Sequence, residues 1–166
     1  LPNSLWSGLR FQNMVECAKQ WVPFIKEKEN PHLIVGLFHS GLEGGVESYH
    51  GLENSTRLVA ENVPGFDLIL YGHDHKNAVN IFKSDSSNTV VTAAPNNNGS
   101  RIVEAKIQLL IAGDKVVKKR IHAATAPLNG SVHRNSILLE IEYDSMRKKA
   151  LEWLNQEIAV LEEDLD

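Results

Sequence analysis

Two short apolar runs, each ending in histidine, constrain this chain more than anything else in it. Leu33-Ile34-Val35-Gly36-Leu37-Phe38 leads into His39-Ser40-Gly41, and Phe66-Asp67-Leu68-Ile69-Leu70-Tyr71 leads into Gly72-His73-Asp74-His75. Each run has strand length and is nearly continuous in apolar residues, the pattern of a strand buried on both faces. Between them Leu52 to Val63 has helical spacing, with Leu52, Thr56, Val59 and Val63 inward, and Pro64-Gly65 ends it. Strand, helix and strand make a βαβ unit with parallel strands and a right-handed crossover. Parallel strands share one C-terminal edge, where open α/β sheets bind ligands. His39 therefore lands on the same rim as His73 and His75. In an extended segment residues i and i+2 point to one side, so His73 and His75 face the rim and Asp74 turns away. Gly72 permits an unusual backbone angle and close approach of a ligand. Neutral imidazole suits Zn, Mn, Fe and other transition ions. The three histidines read as metal ligands; the plainer reading makes them hydrogen-bonded loop residues.

The remaining chain fits one α/β domain. Phe11, Val15, Ala18, Trp21, Val22 and Ile25 recur at helical spacing, Pro23 is expected to kink or divide that helix near Val22, and Asn30-Pro31 stops it. Gly41 to Gly51 reads as a Gly-rich loop, with His50 placed to cover the site. Ala78–Lys83 and Thr89–Ala94 are strands joined by a polar turn over 84–88, followed by a loop from Pro95 to Gly99. Ile102 to Ile111 alternates, Gly113-Asp114 turns the chain, and Lys115 to Ala124 returns antiparallel. Asp144 caps a terminal helix over 143–166 whose apolar positions include Met146, Ala150, Trp153 and Leu154. Trp6, Trp21 and Trp153 sit at core-like or segment-end positions. His32, His122 and His133 read as boundary, surface or packing residues.

At 166 residues and 42% apolar content the chain can bury a real core. Its net charge of −4 speaks against nucleic acid and anionic membranes as partners. No run approaches the roughly 20 apolar residues of a membrane span. Cys17 is alone, which rules out an intrachain disulfide, and reads as a small core hydrophobe. The chain opens at Leu1-Pro2-Asn3-Ser4 without an initiator Met and is expected to be a processed product or an excised piece.

Leu33–Gly41, Glu53-Asn54 and Val63 to His75 resemble the second half of a calcineurin-like metallophosphoesterase catalytic domain. Within that superfamily they are most similar to the 5′-nucleotidase and 2′,3′-cyclic-nucleotide 2′-phosphodiesterase branch. Leu1–Trp6, Gly8 to Phe11 and Trp21-Val22-Pro23 resemble the segment leading into the family's first histidine of this half. The likeness runs from about Leu1 to Leu109. It implies part of an αββα sandwich: a βαβ unit, then mostly antiparallel strands and a C-terminal helix. It also implies two divalent ions (Mn, Zn, Fe, Ca or Mg) bridged by a carboxylate, with metal-activated water attacking phosphorus in a nucleotide. By motif His39 and His73 hold one ion and His75 the other, with Asn97, Gly72, Asp74 and His50 on the substrate side or in support. Relatives of this kind suggest a periplasmic or cell-surface parent.

The family's first half supplies Asp-x-His, a bridging Gly-Asp and Gly-Asn-His-Asp/Glu, and none of these stands in this chain. Electrostatics makes the same point: two dications carry four positive charges, and three neutral imidazoles offset none of them. Glu43, Glu47 and Asp74 are the nearby acids by sequence, in a loop or turned away. The chain is therefore expected to be one partial domain over 1–166, the C-terminal half of a nucleotide phosphohydrolase. Alone it is expected to be inactive, to hold one ion or none, and to associate through an open sheet edge with itself or with the missing half. A non-catalytic partner-binding or single-metal module, and a nuclease fragment of the same superfamily, are the alternatives.

Overall fold

Asn13 starts the first helix: its side-chain oxygen accepts from the N–H groups of Val15 and Glu16 at 2.9 and 3.2 Å, satisfying donors that a helix N-terminus leaves open. In the computed structural model, which describes residues 3–48, 51–84, 88–128 and 144–157, helix α1 runs Met14–Glu29 without a break. Pro23 does not divide it. Asn30, in the left-handed region, closes it by donating its N–H to the Lys26 carbonyl. Val22 is buried against the sheet and Val15, Ala18 and Ile25 pack beside it. Trp21 is 56% exposed and lies outside the core.

Strands β1 (Val35–His39), β2 (Gly44–Ser48) and β3 (Gly51–Asn54) follow. The Gly-rich stretch read as a loop is thus mostly a small antiparallel hairpin. Because β3 takes up residues 51–54, helix α2 is only Thr56–Asn62. Its inward residues Thr56 and Val59, with Val63 just past its end, are fully buried as the spacing requires. Then come β4 (Leu68–Gly72), β5 (Asn77–Lys83), β6 (Thr89–Pro95), β7 (Arg101–Ala112) and β8 (Lys115–Pro127).

Four strands form one sheet in the order β1-β4-β6-β5. β1 and β4 are parallel, in the register Val35↔Leu68 to His39↔Gly72. β6 is parallel to β4 and antiparallel to β5. The apolar run of β4 is buried on both faces. Ile69 and Tyr71 pack under α1 and α2 with Val59, Val63 and Val90. Leu68 and Leu70 pack against the β7–β8 hairpin through Val103, Ala105, Ile107 and Ile121. Helices, mixed sheet and hairpin stack as layers around these two cores.

β1 departs from the reading of a doubly buried strand. It is an edge strand, and Leu37 is 82% exposed. The apolar composition is the same as in β4; what differs is a neighbour. Residues 130–166 form a second unit, in which helix α3 (Asp144–Leu154) lies. Met146, Trp153 and Leu154 of α3 are exposed rather than buried. Residues 158–166 of the expected terminal helix, together with His50 and His133, lie outside the described residues. Among the described residues no helix is long and apolar enough to cross a membrane.

The base of the sheet is tied by Asp67. Its carboxylate accepts the Ile34 N–H at 2.9 Å and the Lys119 ammonium at 2.8 and 2.9 Å, and the side chain is almost fully buried. Asp67→Ala strands the buried Ile34 donor and the Lys119 charge. It is expected to cost about 2 kcal/mol, read from urea unfolding; a loss below about 0.5 kcal/mol would show that the carboxylate does not tie the base.

Candidate metal centre

The rim is built where β1 and β4 end. His39 pairs in register with Gly72, and Ser40 bridges Gly72 from the next position. The chain leaving β1 is fastened to α2. Gly41 and Leu42 carbonyls accept the Thr56 and Arg57 N–H groups at 3.3 and 2.9 Å, which serves the helix start where Ser55 makes no side-chain cap. Ser40 is buried; its hydroxyl donates to the Glu53 carbonyl and accepts from the Ser55 N–H, both at 2.9 Å. Asn54 accepts the Gly41 N–H at 2.8 Å.

The chain leaving β4 does not stay extended. His73 has φ 120° and His75 φ 54°, both in the left-handed half of the backbone map that non-glycine residues seldom enter. The strand alternation expected for these residues therefore does not apply. Gly72, expected to carry the unusual angle, has no positive φ, and a side chain there would meet nothing within 4 Å. Asp74 does turn away from the histidines. Its Oδ2 accepts the Leu42 N–H at 3.1 Å, so the two rim segments are joined. Burial first, and then the charge of Asp74, push the phenol of Tyr71 up. Asn80 opposes this weakly, since among the described residues neither Tyr71 Oη nor Asn80 Nδ2 makes a well-formed hydrogen bond.

His39 and His73 meet. His39 Nε2 and His73 Nδ1 are 3.2 Å apart, with ring centroids 5.0 Å apart at 67°. His73 Nε2 is 3.1 Å from Glu53 Oε1. One proton assignment satisfies the whole chain: His39 Nε2–H donates to His73 Nδ1, and His73 Nε2–H donates to the Glu53 carboxylate. Glu53 is held below the usual carboxylate range, chiefly by the Val46 N–H and next by its hydrogen bond to His73. This carboxylate was missed by sequence reasoning, which looked to Glu43, Glu47 and Asp74. The signal was present: Glu53 lies on β3, one residue before Asn54, which binds the rim loop. The helical reading from Leu52 hid the strand that carries it. Glu43 is instead paired with Arg57 at 2.7 Å.

His75 stands apart from this trio. Its Nδ1 is 3.4 Å from Asn97 Nδ2, which places Asn97 at the rim through the loop after β6. Among the described residues no three His, Cys, Asp or Glu side chains close around a common point as an ion site. His39, His73 and Glu53 form a line with His73 in the middle, each ring nitrogen of His73 engaged by a neighbour.

Comparisons with known proteins find likenesses of sequence and of fold. The chain is 35% identical over 72 residues to a 2′,3′-cyclic-nucleotide 2′-phosphodiesterase/3′-nucleotidase of Yersinia enterocolitica, covering 43% of this chain and 11% of that protein. It is 39% identical over 64 residues to the protein of the same name from Salmonella typhimurium, 38% and 9% of the two chains. It is 33% identical over 72 residues to the trifunctional nucleotide phosphoesterase protein YfkN of Bacillus subtilis, 43% and 5%. A crystal structure of calcineurin-like phosphoesterase YfkN from Bacillus subtilis superposes with TM-score 0.66 over 87% of this chain and 46% of that one, at 22% identity. Together these likenesses give the chain the fold of a calcineurin-like phosphoesterase. No family model matches it. The matched segments span about a tenth or less of the length of the curated relatives, and under half of the solved chain.

The joint between the two rim segments is tight. A Cβ on Gly41 would lie 2.6 Å from Asn54 Oδ1 and 2.7 Å from Asp74 Cβ. Gly41→Ala is expected to destabilise by about 1–3 kcal/mol through overpacking, and Gly72→Ala by no more than about 0.5 kcal/mol. Urea unfolding of both variants checks this, and equal losses would show that the rim is not jammed at Gly41.

Proposed function

We propose that this chain is the metal-binding C-terminal half of a nucleotide phosphohydrolase domain, and that it is not competent alone. The observation that supports the reading best is the meeting of His39 and His73 at the shared end of β1 and β4, with Glu53 against His73. Nucleotide substrates are suggested by what the relatives are called, and divalent metal dependence by the superfamily.

Donor chemistry sets how much metal these residues can take. Two imidazoles and one carboxylate suit one divalent ion of the Zn or Mn kind. His39, His73 and Glu53 would hold it, once the rings turn out of their mutual hydrogen bond. A second ion does not fit. Among the described residues His75 and Asn97 would face it without an anionic ligand, and a dication desolvated without negative charge is heavily penalised. A bound ion supplies Lewis-acid activation of a phosphoryl oxygen and of water. The chain's own residues do the holding. Without an ion Glu53 holds His73 in one orientation through its Nε2, and it would leave that bond to ligate. The bond from Asp74 to Leu42 fixes the turn that presents His73 and His75.

A single-ion, non-catalytic module is the second reading, favoured by the linear trio and by the lack, among the described residues, of three such side chains around a common point. The nuclease alternative draws nothing from a chain of net charge −4.

Elemental analysis after reconstitution with Mn²⁺ or Zn²⁺ tests the reading. At most one ion per chain is expected, lost in His73→Ala. Glu53→Gln should weaken binding by about tenfold or more. Hydrolysis of 2′,3′-cyclic AMP and 3′-AMP by the chain alone should not exceed the His73→Ala background. Two ions with turnover would sink the half-site reading. One ion in a chain that gains no activity in any complex would favour the single-ion module.

A further inference from the structure

The ribbon of β7 and β8 outruns the sheet that it covers, and its far end has no part in the site. Its strands have 12 and 13 residues, against 5 and 7 in β4 and β6 beneath. Ile107 and Ile121 are its last residues packed on Leu68, Val91 and Ala93. Pairing continues past them from Gln108↔Arg120 to Ala112↔Lys115, and Gly113-Asp114 turns the chain. This tip lies at the base of the sheet, away from the histidine rim. Lys119 reaches Asp67 just ahead of β4, and His32, ahead of β1, donates from Nε2 to the Asp114 carbonyl at 3.4 Å. The apex is thus drawn in toward the sheet, and the tip presents its outward face.

Directly paired residues share a face of a ribbon. With Ile107 and Ile121 inward, Gln108 with Arg120 and Leu110 with Lys118 face outward, and a recess of about 230 Å³ opens among them. Strand alternation then fails. Leu110, Ile111 and Ala112 are exposed in succession, because a bulge between Leu110 and Ile111 shifts the register. Leu110 is 60%, Ile111 47% and Val117 57% exposed. Charge gathers at the same place. Lys106 is matched by Glu104 at 3.2 Å and Lys119 by Asp67. Lys115, Lys118 and Arg120 have no ion-pair partner among the described residues, and Asp114 is the one acid from Gln108 to Arg120. The net charge of −4 hides this cationic end, because a sum carries no positions. The expectation against anionic membranes, drawn from that sum, does not reach it.

We propose that the outward face of this tip docks on an anionic lipid surface. Lys118 and Arg120 meet headgroup phosphates with their apolar stems along the surface, while Leu110 and Ile111 enter the acyl boundary. The combination of free cations with exposed aliphatic side chains selects this partner. Single-stranded nucleic acid would use the cations, but it also wants rings on which bases stack, and Arg101 to Pro127 holds no Phe, Tyr or Trp. An acidic protein would want a shaped cleft for its side chains, and this face offers one small recess. A bilayer conforms to the face and supplies phosphates and an apolar layer at once. Docked this way, the chain keeps its histidine rim, at the opposite end of the strands, in solvent. Docking needs no metal and does not rest on the half-site reading.

Flotation of the full chain with lipid vesicles tests this. Vesicles of equal parts phosphatidylglycerol and phosphatidylcholine should carry the chain, and vesicles of phosphatidylcholine alone should not. Lys118→Glu with Arg120→Glu should lower the partition constant about tenfold or more, and so should Leu110→Ser with Ile111→Ser. Added salt should weaken binding by the parent chain. All four positions are exposed, and an unchanged urea midpoint checks that the variants fold. Leu37→Ser, at an exposed apolar residue away from the tip, should bind as the parent does. Ile111→Cys on a Cys17→Ser background, carrying a polarity-sensitive dye, should shift to the blue on binding. Absence of binding to the anionic vesicles, equal binding to both kinds, folded tip variants that bind like the parent, loss of binding in Leu37→Ser, or a dye that does not shift overturns the proposal.

Discussion

Asp67 is the residue on which the layers depend. Its backbone N–H donates to Ile34 and its carbonyl accepts from Val91, so it links β1 and β6 across the start of β4. Its carboxylate takes the Ile34 N–H and the Lys119 ammonium, reaching the hairpin layer as well. A buried carboxylate is costly unless charge and donors surround it. Here the surrounding groups come from two separate segments, Ile34 just before β1 and Lys119 on β8, so satisfying one charge fixes how those elements meet β4. The rim with the histidines lies at the opposite end of the same strands, and its geometry is set by the parallel registers that Asp67 anchors.

Much of this was legible in the residues. The strand–helix–strand order, the parallel pairing of β1 with β4, and the hairpins at 84–88 and Gly113-Asp114 follow from apolar run length, period and turn chemistry. They are local signals that no distant contact contradicts. What escaped was set by neighbours. Leu33–Phe38 and Leu68–Tyr71 are equally apolar, and only the sheet order makes one an edge and the other a centre. Trp21 has the spacing of a core residue on α1 but faces the uncovered side. Pro23 was expected to kink or divide α1, and the helix runs through it undivided. The β2–β3 hairpin is rich in glycine, with positive φ at Gly44, Gly45 and Gly51, which disguises strands as loop. The rest of β3, Leu52 to Asn54, was given to the expected helix, and Glu53 was hidden with it.

At the rim, three histidines were picked out from sequence and the structure treats them unequally. His39 and His73 share a hydrogen bond, His73 also meets the Glu53 carboxylate, and His75 belongs with Asn97. The extended-strand argument does not apply to His73 and His75, which both have positive φ, at a conformational cost that the bond from Asp74 to Leu42 and the packing around Gly41 must offset.

Gly41, Asn54 and Asp74 interlock through distances that leave no room for a methyl group. They sit on three different segments, so none can drift in evolution without the others. Homologous chains that keep the two histidine-ended strands but lose the metal should therefore still vary together at these three positions. Chains that keep the metal should do so as well. Joint variation at 41, 54 and 74 would mark descent of the scaffold, and the state of 39, 53 and 73 would mark whether the chemistry was kept.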